Sequence, residues 1–108
     1  MITSPLNLDN RRDSGRFYFS RAVESRLESG ESLSAQTLNL SLTGARLLVD
    51  AKTANQEKFE LRFSQNLSVS AQPVWKEAVS GGRSYVIGVK FGPLTQSDSS
   101  QLFALSMR

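Results

Sequence analysis

The segment KFELRFS, residues 58–64, places Phe59, Leu61 and Phe63 on one side and Lys58, Glu60 and Arg62 on the other. A period of two is the mark of a half-buried β-strand, because successive side chains leave a strand on opposite faces. The same cadence recurs in short pieces along the chain. RFYFSRAVESRLE, 16–28, is rich in aromatic and β-branched residues and offers Phe17, Phe19, Ala22 or Val23, and Leu27 as an inward set. SLSAQTL, 32–38, alternates through Leu33, Ala35 and Thr37 and reads as its hairpin partner across the turn SGE, 29–31. ARLLV, 45–49, is a short apolar strand. LSVSAQPVWKEAV, 67–79, carries Pro73, which predicts a bulge or an edge because proline has no N–H for a ladder. YVIGVKF, 85–91, is a buried strand that follows the hairpin turn SGGRS, and Gly88 marks a bend or a close approach.

Between these pieces the chain is polar. NLSLTG, 39–44, reads as a loop in which Asn and Ser bond local backbone and Gly44 takes φ > 0. DAKTANQE, 50–57, is a polar connector. Thr95 with Asp98 three residues later resembles a capping box, and Leu102, Phe103, Leu105 and Met107 then predict a short amphipathic helix. Residues 1–16 read as an extended polar arm, in which Pro5 biases Ser4 away from helix. About six short strands with frequent turns and one C-terminal helix predict a small antiparallel barrel or sandwich. With 108 residues the chain fits one domain with a modest core.

Composition narrows the chemistry. The chain has no cysteine, so it has neither disulfides nor thiolate nucleophiles, which fits a reducing compartment. It has no histidine, the usual general base and commonest metal ligand. Its carboxylates fall at no spacing that implies a metal loop or an acid/base couple, and SGGRS lacks the lysine and the strand–loop–helix setting of a phosphate-binding loop. These features argue against an enzyme. No apolar run approaches the roughly 20 residues that span a bilayer, and MITSPLNLDN lacks the basic and apolar regions of a signal peptide. A net charge of +3 is a mild bias toward anionic partners, too weak alone to argue for nucleic acid. Phe17, Phe19, Phe59, Phe63 and Phe91 read as core, and Trp75 reads as a core or barrel-end aromatic in preference to a stacking platform. Lys76, Arg83 and Lys90 read as solvated, and Arg21 and Arg26 as partners for Glu24 or Glu28.

Two motifs stand out from this background. Arg11, Arg12 and Arg16 form R-R-x-x-x-R immediately before the first strand, and NLSLTGAR, 39–46, has the form [DN]-x-S-x-x-G-x-R. Each alone reads as an ordinary basic arm and an ordinary loop. Together, separated by a hairpin of about 22 residues (17–38), they resemble the PilZ domain family. AQPVWKEA, 71–78, resembles that family's strand ending in a Val-Trp pair. YVIGVKFGPL, 85–94, resembles its closing strand, through Gly88, Val89 and Phe91. The likeness covers roughly residues 10–107 and implies a six-stranded antiparallel barrel over 17–94. It also implies an N-terminal arm over 1–16 and a helix over 95–108.

The resemblance further implies a receptor for cyclic di-GMP, a regulatory ligand. Arg12 and Arg16 match the family's R-x-x-x-R pair, and an arginine fork suits a guanine edge, a phosphate or a purine face. Arg11 stands where the family's residue influences binding of one ligand or an intercalated pair, and arginine there suits the pair. Asn39 and Ser41 would bond base edges or backbone, Gly44 would let the main chain approach, and Arg46 would add a contact to guanine or phosphate. Asn39 replaces the commoner aspartate, keeping an acceptor oxygen and losing the charge. The tail and the first hairpin resemble the module of bacterial cellulose synthases, which implies a cytosolic domain attached to a membrane glycosyltransferase. A stand-alone cytoplasmic adaptor in motility or biofilm control is the alternative deployment. A single-stranded nucleic-acid-binding barrel is the alternative class; nucleic acid is not the expected partner, because the aromatics alternate with charges as a core does.

Overall fold

A computed structural model describes residues 17–106, so the arm and Met107 lie outside the described residues. Six antiparallel strands close into a barrel in the order β1-β2-β3-β6-β5-β4. They are β1 (Phe17–Arg26), β2 (Ser32–Leu40), β3 (Gly44–Asp50), β4 (Phe59–Ser64), β5 (Leu67–Val79) and β6 (Ser84–Phe91). The seam between β1 and β4 is short, running from Glu24 opposite Arg62 to Arg26 opposite Glu60. Closure leaves few strand edges and turns one face of every strand into a shared interior.

The alternation seen in the sequence fills that interior. Phe59, Leu61 and Phe63 of β4, Leu67, Val69 and Ala71 of β5, and Leu47, Ile87, Val89 and Phe91 of β3 and β6 are all buried. Phe63 and Phe91 meet edge to face at 6.5 Å between ring centres. In β1 it is Val23 that turns inward, while Ala22 is exposed. Ala35 and Thr37 are buried and Leu33 packs against the core, as the hairpin pattern predicts.

Several local expectations are corrected. The predicted loop over 39–44 shrinks to residues 41–43, because Asn39 and Leu40 stay in β2 and Gly44 already opens β3. The connector after β3 contains one helical turn, α1 (Ala51–Ala54), started by Asp50, whose Oδ1 accepts the Lys52 N–H at 2.7 Å. Thr53 and Ala54 are buried, and the Thr53 hydroxyl pairs with that of Ser25 at 2.8 Å. Glu24 lies 4.0 Å from Arg62 rather than on Arg21 or Arg26, and Arg21 donates to the Phe63 carbonyl at 3.4 Å.

The C-terminal helix, α2 (Gln96–Ser106), begins with the expected reciprocal cap. Asp98 N–H donates to Thr95 Oγ1 at 2.9 Å, and Thr95 N–H donates to Asp98 Oδ2 at 3.1 Å. Leu102 enters the core and Leu105 packs on it, whereas Phe103 is exposed. Residues one apart on a helix point about 100° apart, so Leu102 and Phe103 cannot share the same contact.

Candidate functional site

Ladder pairing assembles the site on the outside of the barrel. Tyr18 of β1 lies opposite Asn39 of β2, Asn39 opposite Arg46 of β3, Arg46 opposite Gly88 of β6, and Gly88 opposite Trp75 of β5. Residues directly opposite in a ladder share a face. The flanking positions Leu40, Ala45, Leu47 and Ile87 are buried, so Asn39, Arg46 and Trp75 of this row face out. Its charged member is held in place: the Arg46 guanidinium carbon lies 5.5 Å from the centre of the Trp75 ring, a cation–π geometry. The indole in turn lies across Gly88, where any Cβ would collide with its Nε1. Gly88 is therefore a close approach, as its place in an apolar strand predicts.

Of the two readings of Trp75, core or barrel-end, the core one is corrected, since the residue is 43% exposed. Counting by twos from the buried Leu67, Val69 and Ala71 would turn Trp75 inward. A register shift between Pro73 and Trp75 adds one residue to β5 and reverses the parity. The same device acts in β2. Ala35 and Thr37 point inward, a register shift falls between Thr37 and Asn39, and Asn39 then joins Arg46 on the outer face. Two bulges thus bring Asn39 and Trp75 to either side of Arg46. Pro73 signals one of them in the sequence, and Leu38 carries no comparable signal for the other.

The loop beside this row is shaped by Ser41. Its buried hydroxyl accepts the N–H groups of Thr43 and Gly44 and donates to the Gly44 carbonyl, each at 3.2 Å. The Ser41 N–H donates to the same carbonyl at 2.9 Å. The Thr43 hydroxyl also lies 3.1 Å from the Ser41 hydroxyl, and since a hydroxyl has one proton and two lone pairs, these four partners within the loop leave it no spare capacity. Gly44 is not in the left-handed region; the glycines with positive φ among the described residues are Gly30, Gly81 and Gly82. Gly44 is needed for another reason, since a Cβ there would run into the Val89 carbonyl on the neighbouring strand.

The structure therefore brings Asn39, Ser41, Gly44 and Arg46 together at one end of the β2–β3 ladder and adds Trp75. Arg11, Arg12 and Arg16 lie outside the described residues. Arg16 is peptide-bonded to Phe17, and Phe17 is opposite Leu40, between Asn39 and Ser41 in sequence. Phe17, the residue that follows the motif, is thus paired beside the loop. Among the described residues no group of His, Cys, Asp or Glu side chains is placed to hold a metal, and no helix is long and apolar enough to cross a membrane.

Comparison with known proteins agrees with the barrel fold. The structure is similar to MrkH of K. pneumonia in its apo state, with a TM-score of 0.60 and 14% identity over 85% of this chain and 48% of that one. A second MrkH structure, described as a c-di-GMP-dependent transcription regulatory factor, matches with a TM-score of 0.57 over the same shares at 14% identity. The chain thus spans about half the length of MrkH. The PilZ domain of YcgR from Escherichia coli, solved with c-di-GMP, gives a TM-score of 0.55 and 20% identity over 85% of this chain and 88% of that one. No curated protein matches the sequence. The model of the PilZ domain matches residues 10–108, nearly the whole chain and both motifs, and the chain belongs to the PilZ domain family.

Proposed function

We propose that this domain binds cyclic di-GMP on the outer wall of its barrel and passes the binding event to an attached or partner effector. The observation that carries the reading is the outward row of Asn39, Arg46 and Trp75, set beside the Ser41 loop. The ligand offers guanine edges and phosphodiesters. Arg12 and Arg16 supply forks for either, Asn39 supplies donor and acceptor atoms for a base edge, and Arg46 is pre-positioned by the indole. Ser41 and Gly44 act by shaping the loop rather than by offering spare hydrogen-bonding groups. The arm closes over the ligand and thereby changes what the effector meets.

The barrel wall supports a nucleotide-binding reading over a catalytic one, and Arg11 supports an intercalated pair of ligands. The effector we favour is a membrane glycosyltransferase of the cellulose synthase type, with this domain on its cytosolic side; a stand-alone cytoplasmic adaptor is the alternative. Isothermal titration of the whole chain with cyclic di-GMP, beside an Arg12→Ala, Arg16→Ala double variant, tests the binding. Two bidentate contacts at about 1–3 kcal/mol each predict a loss of more than about thirtyfold in the double variant. A ligand ratio near two implicates Arg11. Neither heat nor a shift in melting temperature with the intact chain would refute the reading, and tighter binding of single-stranded RNA would favour the nucleic-acid barrel instead.

A further inference from the structure

Beside the Arg46 row, the wall holds a groove of about 480 Å³ lined by Lys58, Ser70, Gln72, Lys90, Gly92 and Pro93. That volume lies within the range of small-molecule pockets. Among the described residues its charged lining is two lysines and no carboxylate. The neighbouring groove is different: there Arg26 and Lys58 are balanced by Glu28 and Glu60. Lys58 borders both grooves, so Lys90 is the cation that belongs to this one alone. Lys52 is ion-paired with Glu31 at 3.3 Å and Lys76 donates to Asn55 Oδ1 at 2.6 Å. Lys90 makes no ion pair with another described residue.

Register connects this groove to the nucleotide surface. Lys90 lies opposite Gly44 on one side and Gln72 on the other, one row away from the Arg46–Gly88 pair. Arg46 and Lys90 therefore occupy opposite corners of a four-residue patch whose remaining corners are glycines. Along β6 the two rows are two residues, about 7 Å, apart. The Trp75 indole covers the Gly88 corner, but Gly44 has no side chain, so on the β3 side nothing from that corner stands between Arg46 and Lys90.

We propose that Lys90, with Ser70 and Gln72, forms a phosphate subsite that extends the dinucleotide surface and takes a phosphodiester of the bound ligand. This rests on the cyclic di-GMP reading above. The donor set chooses phosphate over base. An ammonium, a hydroxyl and an amide N–H all donate to anionic oxygens, and the ammonium, which has no acceptor, matches the charge of a phosphodiester rather than a neutral base edge.

Titration of cyclic di-GMP into the whole chain at two salt concentrations tests the subsite, using Lys90→Gln, Lys90→Arg and Arg16→Ala. Lys90 is exposed, so Lys90→Gln is expected to melt as the wild type does. It is expected to bind about five- to tenfold more weakly and with a shallower salt dependence, while Lys90→Arg stays near wild type. If Lys90→Gln keeps wild-type affinity and salt dependence while Arg16→Ala loses binding, the subsite is overturned and the cyclic di-GMP reading stands. If the wild type itself does not bind, both are overturned.

Discussion

Replacing Ser41 by alanine separates the loop's structural role from its role toward a ligand. The side chain is 7% exposed, and its hydroxyl holds the N–H groups of Thr43 and Gly44 and the Gly44 carbonyl. Thr43 is exposed, so water can replace its lost partner. Gly44 is buried between β2 and β6, so its N–H is left without one. A buried, unsatisfied N–H costs about 1–3 kcal/mol. The Gly44 carbonyl keeps the Ser41 N–H at 2.9 Å and adds little to the loss. The expected destabilisation is therefore about 2 kcal/mol, or about 10 °C in Tm for a domain of this size. Thermal unfolding without ligand, followed by circular dichroism, measures it directly. A Tm within about 2 °C of wild type would refute the reasoning, and if cyclic di-GMP binding were lost at the same time, the hydroxyl would belong to the ligand rather than to the loop.

Gly88→Ala places a methyl group where the Trp75 indole lies, and the indole, being 43% exposed, can swing away. The expected stability loss is under about 1 kcal/mol, the scale of an exposed cation–π contact, with red-shifted Trp75 emission as the readout; unchanged emission would contradict the packing of the ring on the wall. Thr53→Val keeps the shape of α1's buried side chain but removes the hydroxyl 2.8 Å from Ser25 Oγ. Ser25 retains the Leu33 carbonyl at 3.2 Å, so urea unfolding is expected to show a loss of about 1 kcal/mol, and a value near zero would mean that the pair contributes nothing.

Much of the architecture was legible because period-two patterning reports burial directly. The β4 run Phe59, Leu61, Phe63 and the β2 run Leu33, Ala35, Thr37 turn inward as their alternation predicts. The Thr95–Asp98 cap was equally legible, since its bonds span only three residues. Less legible were features whose partners are distant. The Glu24–Arg62 contact depends on β1 meeting β4 at the seam, and the inward turn of Thr53 depends on Ser25, 28 residues away. Gly44 looked like a turn glycine because its neighbours are turn formers, yet it is required by Val89 on another strand.

The amino-acid sequence by itself determined the strand content, the barrel interior and the residue types of both motifs, because alternation, turn chemistry and motif spacing are local properties of the chain. Only the tertiary structure decided which side chains share the outer wall. Simple alternation would turn Trp75 inward, and a loop reading leaves Asn39 without a face. A bulge in each strand turns both outward, and ladder pairing then sets Arg46 between Asn39 and Gly88, with Trp75 one strand beyond. The reason is geometric: one inserted residue reverses the facing of everything beyond it, and its position depends on how two strands pair rather than on either strand alone.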